Sequence, residues 1–402
     1  MNILFLSLLD FESFSERNIY CDLLREFIKN GHVVCCISPV EKRRNQESHI
    51  IYFGENKILK LRIGNIQKVN WLEKGISTLR IERQFISGIK KWFSGIKFDL
   101  VLYATPPVTF ARVIRYVKKK CGAKSYLMLK DIFPQNAVDL GIMSKNGPKS
   151  FLYRYFRHKE KILYHLSDFI GCMSSANMKY ILDHNPEIKA DKVEVCPNAI
   201  EPVLMRFTQE ELQSIRDKYK IPRDRIIFVY GGNLGKPQGI PFLIECLKAQ
   251  KDNKKAFYIV VGSGTEFSKL QHYVDSTEQD NLMLLKSLPK DEYDRMICAC
   301  DVGMIFLDHR FTIPNFPSRL LAYMQAGLPI LACTDQSTDI GKVIVEGEFG
   351  WWCESNDIKK FSNLIEQIIN TDLSQSAEKV GIYLKEYYST EKVFSIIMHH
   401  WE

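Results

Sequence analysis

The sequence predicts an α/β protein of two doubly wound parallel sheets in tandem. Three observations predict it. Short apolar runs alternate with amphipathic segments through the first half, the alternation breaks near residues 195–202, and it then starts again. Residues 3–8 read as a buried strand. Residues 17–29 read as a helix with Ile19, Leu23, Leu24, Phe27 and Ile28 on one face, closed by Asn30-Gly31. Residues 33–38 form the next strand, and further strands are expected at 100–104, 125–129 and 169–173. Pro197-Asn198 and Pro202 interrupt both periodicities and mark a boundary, giving a first domain over 1–199 and a second over 200–384. In the second, strands are expected at 226–230, 257–261, 282–285, 302–306 and 329–332. Two such domains are expected to hold a ligand crevice between them, at the carboxyl ends of their strands. The last segment, 385–402, is amphipathic with no strand after it and is expected to fold back on the first domain.

Composition supports an ordinary globular chain. Of 402 residues, 46% are hydrophobic and 25% charged, which excludes a disordered or low-complexity protein. The apolar start runs into Asp10, Glu12 and Glu16, without the positive charge and small-residue cleavage site of a secretory leader. No stretch reaches the roughly 18 apolar residues of a membrane span. Eleven scattered cysteines include no Cys-x-x-Cys pair, so reduced, mostly buried thiols are expected rather than a disulfide framework or zinc site. Charge is uneven: residues 1–200 hold 32 Lys and Arg against 19 Asp and Glu, a net of +13, whereas the remainder carries −5. Only the first half is expected to meet an anionic surface.

Three stretches of the second half carry chemistry. Gly231, Gly232, Asn233, Gly235, Gln238 and Gly239 follow its first strand, and Gly262-Ser263-Gly264 follow its second. Glycines between a strand and a helix let backbone approach a phosphate, although tight turns also use them for steric reasons alone. Ser318-Arg319-Leu320 opens a third segment, with Ser318 placed to cap a helix. A cation in a first helical turn opposes the helix dipole, so Arg319 is explained better by a diphosphate partner than by stability, a solvated surface arginine being the alternative.

Further short stretches complete a pattern. The chain has Gly232-Asn233-x-Gly235-x-x-Gln238-Gly239, then Pro317-Ser318-Arg319 followed by Tyr323, Ala326-Gly327 and Pro329. In the first half stand Thr105-Pro106-Pro107, Lys130-Asp131-Ile132-Phe133-Pro134 continuing to Leu140-Gly141, and Pro197-Asn198. In order and spacing these resemble family 4 glycosyltransferases of the GT-B fold. Among them they resemble the branch that builds capsule and O-antigen repeats, including N-acetylfucosaminyl transferases.

The resemblance implies a retaining transfer of a hexosyl or N-acetylhexosaminyl group from a nucleotide diphosphate sugar, with UDP the expected nucleotide. It implies a polyprenyl-diphosphate-linked saccharide acceptor, no metal and no cofactor beyond the donor substrate. The absence of any Asp-x-Asp triplet agrees with metal-free chemistry. Expected catalytic residues are Arg319, with Asp131 and Lys130. Expected donor contacts are Gly231, Gly232, Asn233, Gly235, Gln238, Gly262, Gly264, Ser318, Arg319 and Leu320. Thr105, Pro106 and Asn198 are assigned to the acceptor side and hinge. Asp131 is expected to orient the acceptor, a strand-end cap being its alternative. The chain departs from the family where two glutamates usually stand, at Pro314 and Ala322, and where a glycine loop is replaced by residues 13–17.

Residues 149–164 interleave aromatics with cations. As a helix they form an interfacial face, with Arg154, Arg157 and Lys161 on anionic lipid, and Trp71, Phe85, Trp92 and Phe93 among Lys90, Lys91 and Lys97 extend it. Packing of these rings inside the domain is the alternative. No nucleic-acid motif accompanies them. The expected location is cytoplasmic, peripheral on the inner face of the cell membrane. Two other activities fit the sequence: a nucleotide-sugar 2-epimerase of the same fold, and a non-catalytic binding subunit.

Overall fold

The computed structural model describes residues 1–66, 71–148, 150–203, 205 and 207–401. It divides into two units, Met1–Glu201 together with Thr390–Glu402, and Pro202–Ser389. Each is built on one sheet.

In the first unit the strands are β1 (Asn2–Leu6), β2 (Val33–Glu41), β3 (His49–Phe53), β4 (Asn56–Ile63), β5 (Leu100–Ala104), β6 (Lys124–Leu129), β7 (Phe169–Cys172) and β8 (Val193–Val195). Their order is β3-β4-β2-β1-β5-β6-β7-β8. All neighbours are parallel except β3 and β4, which pair as an antiparallel hairpin through a turn with Gly54 at φ +63°. Order reverses at β1, between β2 and β5, the usual ligand side of such sheets. The β3–β4 hairpin was not expected. Lys57, Lys60 and Arg62 break its apolar run, yet Lys60 is only 1% exposed. Its ammonium is satisfied by Asp10, by Phe11 O at 2.9 Å and by Ser38 Oγ at 3.2 Å. That network anchors the chain after β1.

The helix Ile19–Lys29 begins at Asn18, whose side chain accepts from the amides of Tyr20 and Cys21. It buries Leu23, Leu24 and Phe27 against β1 and β2. The C-terminal segment belongs to the same core. The helix Ser376–Tyr387 lies in the second unit, and Thr390–Met398 is a separate helix of the first. There Phe394 packs edge-on to Phe27 at 5.0 Å, Val393 and Ile397 are fully buried, and Thr390 N donates to Ile200 O at 3.1 Å.

The second unit has β9 (Ile226–Asn233), β10 (Ala256–Ser263), β11 (Leu282–Lys286), β12 (Val302–Phe306), β13 (Ile330–Thr334) and β14 (Gly350–Glu354). They are ordered β11-β10-β9-β12-β13-β14, all parallel. The order reverses at β9 against β12. β9 and β10 are longer than expected: the first glycine cluster is not a loop but the end of a strand, with Gly231, Gly232 and Asn233 paired to Val261, Gly262 and Ser263. All eleven cysteines are free thiols, nine of them buried. No helix among the described residues is long and apolar enough to cross a membrane, and no metal-binding cluster occurs among them.

Candidate functional site

At the carboxyl ends of β9, β10 and β11 lies a cleft of about 610 Å³. Gly231, Gly232, Asn233, Gln238, Gly262, Ser318 and Arg319 line it, so seven of the expected donor contacts come together. Arg319 is its electrostatic centre. The guanidinium stacks 4.2 Å over the ring of Tyr230, and its buried Nη1 has no hydrogen-bond partner. Among the described residues Arg319 makes no ion pair. An unpaired, partly desolvated cation is costly, and an anionic ligand is the partner that would offset it. Beside it Gly232 has φ +116°, a conformation side chains avoid, and a Cβ there would sit 3.4 Å from Arg319 Nη2.

Tyr323 fixes this arrangement. Its hydroxyl accepts from Gly231 N at 3.0 Å and donates to Met304 O at 3.1 Å, tying the helix Arg319–Gln325 to β9 and β12. Burial pushes its ionisation up to about 12, so it keeps the proton it donates. Gln238 fixes the loop opposite: its Oε1 accepts from Asn233 Nδ2 at 2.9 Å and Gly235 N at 3.2 Å.

Four expectations need correction. Ser318 precedes the helix but adopts helical backbone angles and makes no capping bond, because the turn closes with 3₁₀-like bonds instead. Leu320 offers no free donor: its side chain is fully buried and its amide donates to Pro317 O at 3.3 Å. The amide of Gly235 is taken by Gln238, so Gly235 shapes the loop rather than the cleft. Gly264 is steric as well, since a Cβ there would lie 2.4 Å from Leu234 O, and it does not line the cleft.

Sequence reasoning missed the third wall, formed by Ser287, Leu288, Lys290, Tyr293 and Asp294. The signal was present. Lys290, Tyr293 and Asp294 stand at i, i+3 and i+4 in the helix Lys290–Ile297, directly after a strand end. Tyr293 sits so close to β9 that a Cβ on Gly231 would be 2.1 Å from its hydroxyl.

In the first unit, the ends of β5, β6 and β8 bring Thr105, Lys130, Asp131 and Pro197-Asn198 together. Thr105 Oγ1 accepts from Lys130 N at 3.1 Å and donates to Asp131 O at 3.4 Å, and Lys130 Nζ reaches Pro197 O at 3.5 Å. Pro106 is flanked by two cis peptide bonds. Asn198 Oδ1 is buried without a partner. Asn136 Nδ2 donates to both carboxylate oxygens of Asp131, at 2.7 and 2.9 Å. Burial outweighs those bonds and pushes the Asp131 carboxyl up to about 6, while burial brings Lys130 down to about 8. Burial thus disfavours the charged form of both groups, which stand at the carboxyl end of β6.

The Asp131 shift has a stability consequence. The folded carboxyl titrates at about 6 against 3.8 for an ordinary aspartate, so between those values the folded state binds more protons. Stability from this group is present below about 4 and is lost as pH rises through 6. Asp131→Asn is expected to remove that slope. Wild type should gain up to roughly 3 kcal/mol relative to the variant between pH 7 and pH 4. Urea melts across that range check it, and parallel curves would contradict it.

The helix Ser150–Leu166 corrects the expected membrane face. Arg157 is committed elsewhere: it pairs with Glu160 at 2.5 Å and donates to His184 O and Asn185 Oδ1. Lys161 pairs with Glu187 at 3.0 Å. Arg154 stays exposed. The exposed rings are Phe151, at 69%, and Tyr155, with Leu152 beside them and Ile142 from the preceding loop. Lys159 lies over the Tyr155 ring and Lys145 over Tyr153. Phe85 and Phe93 are core residues, so they do not extend the face. Lys149 and the side chain of Trp71 lie outside the described residues.

Residues 212–386 match the family described as Glycosyl transferases group 1. The chain carries a glycosyltransferase group 1 domain. The chain is 26% identical over 323 residues to the "Probable glycosyltransferase WbjE" of Pseudomonas aeruginosa, a match covering 79% of this chain and 77% of that one. It is 22% identical over 253 residues to the "Putative colanic acid biosynthesis glycosyl transferase WcaI" of Escherichia coli K12, covering 61% and 60%. Its fold matches a sucrose-phosphate synthase from Thermosynechococcus elongatus with a TM-score of 0.76 at 14% identity, covering 100% and 98% of the two chains. It also matches Anabaena HepE solved with UDP-glucose, with a TM-score of 0.67 at 14% identity, covering 100% and 99%. The fold is thus two Rossmann-like parallel-sheet units of the GT-B kind.

Proposed function

We propose that the protein transfers a sugar, with retention and without a metal, from a UDP-type donor to a lipid-linked saccharide during assembly of a surface polysaccharide such as capsule or O-antigen. The observation that carries this reading is the Arg319 guanidinium, stacked on Tyr230 in a glycine-walled cleft and left without an anion. There it neutralises charge developing on the leaving diphosphate, the role a fixed cation plays where no metal does so. UDP as the nucleotide is supported by HepE, solved with UDP-glucose. A polysaccharide product is supported by the name of WcaI. Asp131 in the first unit orients the acceptor. The cleft has a single carboxylate and no histidine among its described lining residues, a poor set for an epimerase. The test is a thermal-shift screen with UDP, GDP, ADP and TDP in EDTA. UDP is expected to raise the melting temperature by several degrees, as a ligand of the native state does, and chelator is expected to leave that shift intact. No shift with any diphosphate, or one restored only by Mn²⁺, would overturn the reading.

The acceptor's lipid is met at a membrane surface through Phe151, Leu152, Tyr155 and Ile142, with Arg154, Lys145 and Lys159 on anionic headgroups. Each cation near such a leaflet contributes about 1 kcal/mol. In flotation, liposomes with anionic lipid are expected to carry the protein at low salt and release it at high salt. Phe151→Ser/Tyr155→Ser and Arg154→Glu should each reduce binding at least five-fold, given the apolar area and charge removed. Equal binding to neutral vesicles would remove this face from the membrane.

A further inference from the structure

The donor cleft has an unusual inventory of charge. Among its described lining residues the cations are Arg319 and Lys290 and the one carboxylate is Asp294. Lys290 and Asp294 are four residues apart on the helix Lys290–Ile297 and form an ion pair. The two are not equally free. The Lys290 side chain is 51% exposed and can swing, whereas that of Asp294 is 17% exposed and is held against the wall. A surface pair at this spacing contributes only about 0.5 kcal/mol and has no need of a half-buried carboxylate. On the facing segment Ala322 presents a methyl group.

A nucleoside diphosphate asks for two things that this inventory supplies. Its two phosphates carry more negative charge than Arg319 alone offsets. Its ribose carries neighbouring hydroxyls, donors that need a fixed acceptor when taken out of water. With alanine at 322, Asp294 is the one carboxylate acceptor among the described lining residues. Resting on the donor reading above, we propose that Asp294 recognises the ribose hydroxyls of the donor nucleotide and that Lys290 exchanges Asp294 for the diphosphate when the nucleotide binds. Each ribose hydroxyl donates to a carboxylate oxygen of Asp294, and the Lys290 ammonium donates to a phosphate oxygen. The two partners of the opened ion pair thus engage the two ends of the nucleotide, and selectivity for a ribonucleotide is tied to diphosphate binding.

The test is calorimetric titration of the full chain with UDP, 2′,3′-dideoxy-UDP and inorganic pyrophosphate. Wild type is expected to prefer UDP over the dideoxy compound by on the order of ten-fold, the usual value of a hydrogen bond to a charged group. Asp294→Asn, which keeps the shape, should bring that ratio to about two-fold or less while pyrophosphate binds as before. Lys290→Gln should weaken UDP and pyrophosphate alike, by roughly five-fold, and keep the ribose preference. Asp294→Asn with its ribose preference intact would overturn the inference and leave the donor site standing. Wild type that binds neither UDP nor pyrophosphate would overturn the donor site itself, and the inference with it.

Discussion

Arg319→Ala is expected to lower sugar transfer by about 10²-fold or more while the protein stays folded. The guanidinium stacks on Tyr230 and has a buried nitrogen without a partner, and its removal breaks no ion pair of the described residues. Stability should therefore hold or rise slightly, because an uncompensated charge is taken out of a poorly hydrated place. Catalysis should fall in kcat and kcat/KM together if the contact strengthens as charge develops on the leaving diphosphate. Arg319→Lys should recover only part of the loss, since an ammonium has neither the planar fork nor the face that packs on an aromatic ring. Turnover of the donor by purified variants, with their melting curves, decides the matter, and near-normal turnover in Arg319→Ala would remove this residue from the site.

Gly262→Ala is expected to cost about 3 kcal/mol of stability, the upper range for forced overpacking, and to abolish nucleotide binding. A Cβ at this position would lie 1.9 Å from Gly232 O and 3.0 Å from Gly232 C. These are backbone atoms of the paired central strand, so no side chain can rotate away. The variant must part β9 from β10 or turn the peptide of Gly232, and that peptide borders Arg319. Gly54→Ala is the control. Gly54 has positive φ, unlike Gly262, but nothing lies within 4 Å of its Cβ position, so only the left-handed backbone cost of about 1 kcal/mol should appear. Equal urea midpoints for wild type and Gly262→Ala would show that the two strands have more play than their packing indicates.

Much of the fold was legible because fully buried parallel strands are written as unbroken apolar runs. β5 and β12 have the bounds that their runs predict. The hairpin of β3 and β4 escaped because a buried lysine looks like a surface residue until Asp10 and Ser38 are seen to receive it. β8 is three residues long, too short for a period to register. In the donor cleft, residue type was enough to single out Arg319 and the first glycines. It could not separate glycines that border the cleft from those, such as Gly264, that make room for a neighbouring carbonyl. Nor could it reveal that Arg157 and Lys161 already have carboxylate partners, since those lie on other residues of the fold or one turn along the helix.

The second unit is one unbroken stretch of chain, whereas the first is closed only when residues after Thr390 return to it. During synthesis, therefore, the residues that complete the first core leave the ribosome only after the whole of the second unit. Val393, Phe394 and Ile397 are made after the whole of the second unit. A chain is expected to mature from the middle outward rather than from its amino end, contrary to the usual order for multidomain proteins. Until the segment from Thr390 onward emerges, the face of the helix Ile19–Lys29 that will hold Phe394 stays exposed, and a truncation before Thr390 would leave it so permanently.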